Sequence, residues 1–392
     1  MYSEKLLESI DKFKEEAYAL NFDLAENPEI SEKEFESSKK IVKLLKKHGI
    51  DAELNFCGFE TAFFGHVIKK ENAKANFAIL VEYDALPDIG HGCGHSASCG
   101  ISILSALALK DNEDEIDANI DIVGTPGEED EGLKSPMADM GVFDKYDAVI
   151  MVHLTSGVNK PNAKLLALDT YEITFKGTPA HCAGAPWEGR SALDGLMLSI
   201  HAFDMMRKSL RPGAIVEGIV LNGGSAPGMI PEFAKAKYAF RARNYSEVKD
   251  EMMPWVKDIL NGCAKATQTQ YELETFGYTF RDMVYNQTGT DLIKEIMQDH
   301  NLEYEETDVA DGSSDIGSIS YRAPAFHPYI SISKEEIPFH TKAVADFVKS
   351  DGSKDVIDKG ATIILEFFGR LLENPEKIHK IREEFEKSIE EN

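Results

Sequence analysis

The segment His91-Gly92-Cys93-Gly94-His95 places one thiol and two imidazoles within five residues, with glycines between them. Glycine lets the backbone turn sharply, so Cys93 and His95 can point at a single ion. Thiolate and imidazole suit zinc or another late transition metal better than magnesium or calcium. A second cluster, Gly124-Thr125-Pro126-Gly127-Glu128-Glu129, ends in adjacent carboxylates. In a metal site one such carboxylate binds the ion. Its neighbour is left free to take a proton from water that the ion has acidified. Asp84, in Glu82-Tyr83-Asp84, His153, directly after an apolar run, and the later His340 complete the candidates. Each also has an ordinary structural reading. Glu128 and Glu129 run on into Asp130 and Glu131 as an acidic loop, Asp84 precedes Pro87 as a turn or cap residue, and His153 ends a strand. His181, in Gly177-Thr-Pro-Ala-His181, is too distant along the chain to assign by spacing.

The elements that must position these residues are legible as short apolar runs. Phe77–Val81, Ile120–Val123 and Ala148–Val152 are nearly continuous, and Tyr329–Ile332 is weaker. Runs of this kind, separated by helical stretches such as Ile101–Leu109, predict strands buried on both faces of a mostly parallel sheet. Each strong run ends in a metal-capable cluster, and in open parallel sheets active sites lie beyond the carboxyl ends of the strands. The expectation is therefore one rim carrying Cys, His, Glu and Asp. From about residue 169 the order strand, helix, strand, strand, helix, strand spans about 110 residues, the split βαβ unit. Buried-strand character returns after about residue 285. The predicted fold is α/β: a mostly parallel sheet flanked by helices, formed by residues 1–168 and 283–392, with a ferredoxin-like βαββαβ domain inserted at 169–282.

The 392 residues are 43% hydrophobic and 28% charged, with a formal net charge of −26. Such a charge repels nucleic acid and anionic membrane surfaces, and neither is expected as a partner. No apolar stretch reaches the roughly 18 residues that would span a bilayer. The five cysteines, irregularly spaced in a chain that opens without a signal-peptide pattern, predict reduced thiols and a cytoplasmic location.

Taken together, Glu82-Tyr-Asp-Ala-Leu-Pro87, Gly90-His-Gly-Cys-Gly-His95, Gly124-Thr-Pro-Gly-Glu-Glu129, Met151-Val-His153, Ala185–Asp194, Gly223–Pro231, Ser313–Ser320 and His340-Thr341 resemble the two-metal metallopeptidase family. That family includes aminoacylase, carboxypeptidase G and the auxin-conjugate hydrolases. The resemblance runs from about residue 60 to 370 and is strongest toward the p-aminobenzoyl-glutamate hydrolase and β-alanyl-lysine dipeptidase branch. It implies that Cys93, His95, Glu129, His153 and His340 hold two divalent ions, zinc or manganese, with cobalt or nickel as alternatives. It implies Glu128 as general base, Asp84 orienting a ligand, and His181 stabilising the oxyanion from a partner subunit. Arg241 would bind the substrate carboxylate, with Gly228, Ser314 and Asp315 near the substrate, and the inserted domain would act as lid and homodimer interface.

The expected activity is hydrolysis of an amide bond in a small dipeptide-like or N-acyl amino acid substrate. Two alternatives stand beside it: a dedicated N-acyl amino acid deacylase and a non-catalytic metal-binding protein of the same fold. Two positions depart from the family pattern. Ser96 replaces an Asn or Asp, and Gly228 replaces an Asn.

Overall fold

The structure, a computed structural model, describes residues 2–310 and 312–391. It divides into two compact units. One comprises residues up to Lys164, Met283 to 310, and Asp315 onward. The other comprises Leu165–Asp282 and Gly312–Ser314.

In chain order the first unit runs α1 (Tyr2–Glu26), α2 (Phe35–Lys47), β1 (Asp51–Leu54), β2 (Phe63–Ile68), β3 (Asn76–Val81), α3 (His95–Asp111), β4 (Asn119–Gly124), α4 (Lys134–Asp139), β5 (Ala148–Ile150) and β6 (His153–Thr155). The second unit supplies β7 (Ala167–Lys176), α5 (Ala192–Met206), β8 (Ile215–Asn222), β9 (Phe233–Ala242), α6 (Met253–Thr267) and β10 (Gln270–Thr275). The chain then returns to the first unit with α7 (Gln287–Asp299), α8 (Ile316–Ser320), β11 (Ala325–Phe326), β12 (Tyr329–Ser331), α9 (Lys342–Val348), α10 (Gly352–Glu373) and α11 (Pro375–Glu391).

The first unit's main sheet has the order β1-β2-β4-β3-β5-β11. Strands β4, β3, β5 and β11 are parallel, and β1 and β2 add an antiparallel edge. The central strands are buried along nearly their whole length, as continuous apolar runs require. Helix α3 is enclosed by α1, α10 and the sheet, and its residues from His95 to Leu109 are all buried. Its packing against α10 depends on Gly360, where a Cβ would stand 2.4 Å from Ile101 Cδ1.

One expectation is corrected. The run Ala148–Val152 is not a single strand. Pairing with β11 stops at Ile150, and His153 opens a separate two-stranded parallel sheet with β12. Backbone bonds from Met151 N–H to Phe326 O (3.1 Å) and from His153 N–H to Pro328 O (3.0 Å) carry the chain across the break. His153 is thus fixed by β12 rather than by the main sheet.

The second unit is an antiparallel sheet, order β10-β7-β9-β8, with α5 and α6 against one face. Alternate residues of β9 are buried, the period-two signature of a sheet with one covered face. Ser191 caps α5, its Oγ accepting from Asp194 N–H at 3.1 Å. Strand β8 is an edge. Of its residues only Val216 is buried, while Ile215, Ile219, Val220 and Leu221 are exposed. No helix is long and apolar enough to cross a membrane among the described residues.

Candidate metal centre

In the first unit, three chain segments converge just beyond the ends of β3 and β4. Strand β3 leads into Glu82-Tyr83-Asp84, β4 into Thr125–Glu129, and β6 begins with His153. Thr125 binds back to the end of β3, its N–H donating to Val81 O at 2.8 Å, so the two strand ends stay in register. The thiol-imidazole segment reaches α3 through Gly94, whose φ of +88° is left-handed and whose Cβ position would lie 2.9 Å from Leu154 Cδ2. A side chain there would be strained and would clash, so glycine sets the direction in which Cys93 and His95 point.

His95 and His153, both buried, have their tautomers set by acceptors. His95 Nδ1 donates to Asp84 Oδ1 (2.9 Å) and to the Asp84 carbonyl (3.1 Å), leaving Nε2 as the ligand atom. His153 Nδ1 donates to Leu154 O at 2.8 Å, and its Nε2 lies 3.6 Å from Cys93 Sγ. Binding the far ring nitrogen to an acceptor is the usual way a protein orients a metal-ligating imidazole. Asp84 does further work: its Oδ2 accepts from Glu129 N–H (2.9 Å) and from the Ser31 hydroxyl (2.8 Å). His340, at φ +61°, is held by its N–H to Gly92 O (2.9 Å), with Nε2 3.5 Å from Glu129 Oε2.

Three groups of ligand atoms result, each with its atoms within 4.8 Å of one another. They are Cys93/His95/His153, Cys93/Glu129/His340 and Glu82/His95/Glu128. The first two share Cys93, and the first and third share His95. Buried His95 Nε2, Glu129 Oε1 and Glu82 Oε2 have no hydrogen-bond partner. Unpaired buried polar atoms are costly, and a cation would satisfy all three, so this donor set fits metal.

The electrostatics agree. The rim gathers Glu82, Asp84, Glu128, Glu129, Asp315 and the Cys93 thiol, and one buried lysine, Lys134, pairs with Glu82 and Asp315. Burial, followed by the charges of Glu82, Asp315 and Glu129, pushes Glu128 well above the usual carboxylate range. Burial and Glu129 raise the Cys93 thiol. Burial lowers His153 to about 3. The cluster carries more acidic groups than Lys134 can balance, so it takes up either protons or cations.

Of the remaining expected residues, Asp315 is fully buried, its Oδ1 accepting from Lys134 Nζ (2.7 Å) and its Oδ2 from Lys134 N–H (3.0 Å). His181, Arg241, Gly228 and Ser314 belong to the second unit. His181 is exposed, and its Nδ1 accepts from Ala183 N–H (3.2 Å) and Gly184 N–H (3.1 Å), which leaves the proton on Nε2 as a donor. Arg241 donates through Nε to Glu217 (2.9 Å) and through Nη1 to Ser313 Oγ (2.7 Å). Gly228 has open space at its Cβ position, and Ser314 is buried with its hydroxyl unpartnered. Ser96 is likewise buried with its hydroxyl unpartnered.

Sequence reasoning missed Lys134, Glu82 and Glu34. Glu34, fully buried, accepts from Gly127 N–H (3.0 Å), Glu32 N–H (2.9 Å) and the Thr61 hydroxyl (2.9 Å), and so braces the loop that bears Glu128 and Glu129. Only the adjacency of Glu82 to Asp84 was visible in advance.

Residues 78–368 match the sequence profile of peptidase family M20/M25/M40. The chain belongs to this family. It is a metal-dependent amidohydrolase. The chain is 28% identical over 349 residues to Xaa-Arg dipeptidase of Mus musculus, covering 85% of this chain and 80% of that protein. It is 28% identical over 267 residues to one of the polypeptides of p-aminobenzoyl-glutamate hydrolase from Escherichia coli, covering 63% of this chain and 55% of that one. Its fold is shared with a dinuclear metal-binding peptidase of the M20 family from Bacillus subtilis. The TM-score is 0.69 at 19% identity, over 93% of this chain and 99% of the other.

Proposed function

We propose that the protein hydrolyses an amide bond in a small dipeptide-like substrate, using two divalent ions held by Cys93, His95, Glu129, His153 and His340. The observation that supports this most directly is Cys93, which joins the His95/His153 pair and the Glu129/His340 pair in two ligand triads. When bound, the ions supply Lewis-acid polarisation of the scissile carbonyl and acidify water. Glu128 stands at this rim, within 3.9 Å of His95 Nε2, and takes the proton of the attacking water before returning it to the leaving amine. Asp84 holds His95 and the Glu129 backbone in place. His181, with its Nε2 proton outward, donates to the oxyanion in a second copy's site. Arg241 is the candidate for the substrate carboxylate, which a guanidinium grips in bidentate fashion, and Gly228 and Ser314 are its candidate companions at the substrate. Zinc or manganese is the proposed metal, with cobalt and nickel competing for the same ligands.

The likeness to a protein named Xaa-Arg dipeptidase supports a dipeptide with arginine as its second residue. A chain of net charge −26 also attracts a cationic substrate. A homodimer through the second unit is supported by β8, a sheet edge carrying exposed Ile219, Val220 and Leu221. The proposed location is the cytoplasm. The test is a panel of dipeptides and N-acyl amino acids with metal-reconstituted wild type and Glu128→Gln. Wild type should favour dipeptides, and the variant should keep its metal and lose hydrolysis by about 100-fold or more. Preference for N-acyl amino acids would identify a deacylase. Unchanged metal content together with an unchanged rate would remove Glu128 from its role.

A further inference from the structure

Glu82 stands where β3 ends, almost wholly buried, with its two oxygens in different circumstances. Oε1 accepts from Lys134 Nζ at 2.6 Å. Oε2 has no partner, lies 3.5 Å from His95 Nε2, and groups with that nitrogen and Glu128 within 4.8 Å. His95 Nε2 is itself unpartnered. Two orphaned, buried atoms with lone pairs therefore face each other. An acceptor beside an acceptor is unfavourable unless a proton or a cation lies between them.

Lys134 holds this arrangement fixed. Its ammonium, fully buried, spans Glu82 and Asp315, and Asp315 also receives the Lys134 backbone N–H. The three residues come from the end of β3, the start of α4 and the residue preceding α8, so the carboxylate of Glu82 cannot rotate without breaking a buried ion pair. Lys134 also removes one oxygen of Glu82 from competition and leaves the other to point at His95. A carboxylate restrained in this way is a preorganised one-oxygen ligand.

We propose that Glu82 Oε2 is a further ligand of the ion held by His95 and His153, and that Lys134 and Asp315 are the residues that position it. This rests on the two-metal reading above. It adds a hard, anionic oxygen to a thiolate and two imidazoles, which shifts that position toward ions accepting mixed O, N and S donors.

The test is metal binding by calorimetry, together with the visible spectrum of the cobalt-loaded protein, for wild type, Glu82→Gln and Glu82→Asp, each checked for folding by circular dichroism. Glutamine keeps an oxygen for Lys134 and turns an amide NH2 toward His95, where it cannot ligate. Aspartate keeps the charge and withdraws the oxygen. Wild type should bind two ions. Each variant should bind one of them about 10- to 100-fold more weakly while the other is unchanged, with altered cobalt absorption. Lys134→Met should weaken the same ion by about 10-fold. If wild type binds two ions and either folded Glu82 variant binds both with wild-type affinity and spectrum, Glu82 is not a ligand and the two-metal reading survives. A wild-type protein that binds no divalent ion overturns both.

Discussion

Glu34 is the residue whose ionisation the fold should report most clearly. It is fully inside the protein, and burial, reinforced by the charge of Asp84, lifts it to about 8 from the ordinary 4.5, against the opposing effect of its own hydrogen bonds. The fold therefore prefers the protonated form. Thr61 accommodates it, because its rotatable hydroxyl can turn from donating to Glu34 to accepting from it. With a folded value above the unfolded one, this contribution is fully present below about pH 4.5 and is lost as the pH rises through about 8. A gap of that size corresponds to at most about 5 kcal/mol, at 1.36 kcal/mol per unit. Glu34→Gln is isosteric and cannot ionise, so its stability lacks this dependence. Denaturant unfolding of both proteins, metal-stripped, between pH 5 and 9 should show the variant gaining on wild type by a few kcal/mol as the pH rises. Taking the difference cancels the titration of every other group. A flat difference would mean that the donors from Gly127, Glu32 and Thr61 keep Glu34 ionised at an ordinary value, and the reasoning would fail.

Other outcomes follow from the same geometry. Gly360→Ala should cost about 1–3 kcal/mol in unfolding free energy, because the added methyl meets Ile101 across the contact of α3 and α10. Ile219→Lys, on the exposed edge strand, should shift a homodimer toward monomer in sedimentation while leaving the circular dichroism unchanged. Metal binding should release protons, detectable with a pH indicator in weak buffer, since Cys93, Glu128 and Glu129 are all raised by burial and must deprotonate or give way to cations. Affinity for metal should accordingly fall as the pH is lowered.

Much of the centre was legible because it lies at strand ends. Apolar runs such as Phe77–Val81 and Ile120–Val123 announce buried strands, and the polar residues just beyond them have to share one rim. The βαββαβ order of the second unit was equally visible, since helix and strand periods alternate cleanly there. What could not be read was anything that depends on distant segments. Lys134 and Asp315 are separated by 181 residues, and Glu34 and Gly127 by 93. No local pattern encodes such pairs, which form only when the core closes. The pairing of Asp315 was hidden for this reason: a carboxylate in a Ser-Ser-Asp segment carries no local sign of its buried lysine. The break between β5 and β6 was hidden because Met151 and Val152 are as apolar as the strand before them, and only the pairing of His153 with Tyr329 reveals it.

The central claim is that amide hydrolysis depends on two cations at the rim built around Cys93. Protein stripped of metal and titrated with zinc, manganese or cobalt, with dipeptide hydrolysis followed at each step, tests it most directly. Turnover should be absent in the stripped protein and rise to a plateau at two ions per chain, and loss of the shared Cys93 ligand in Cys93→Ala should abolish it. Full turnover in the stripped protein, or in Cys93→Ala without metal, would contradict it.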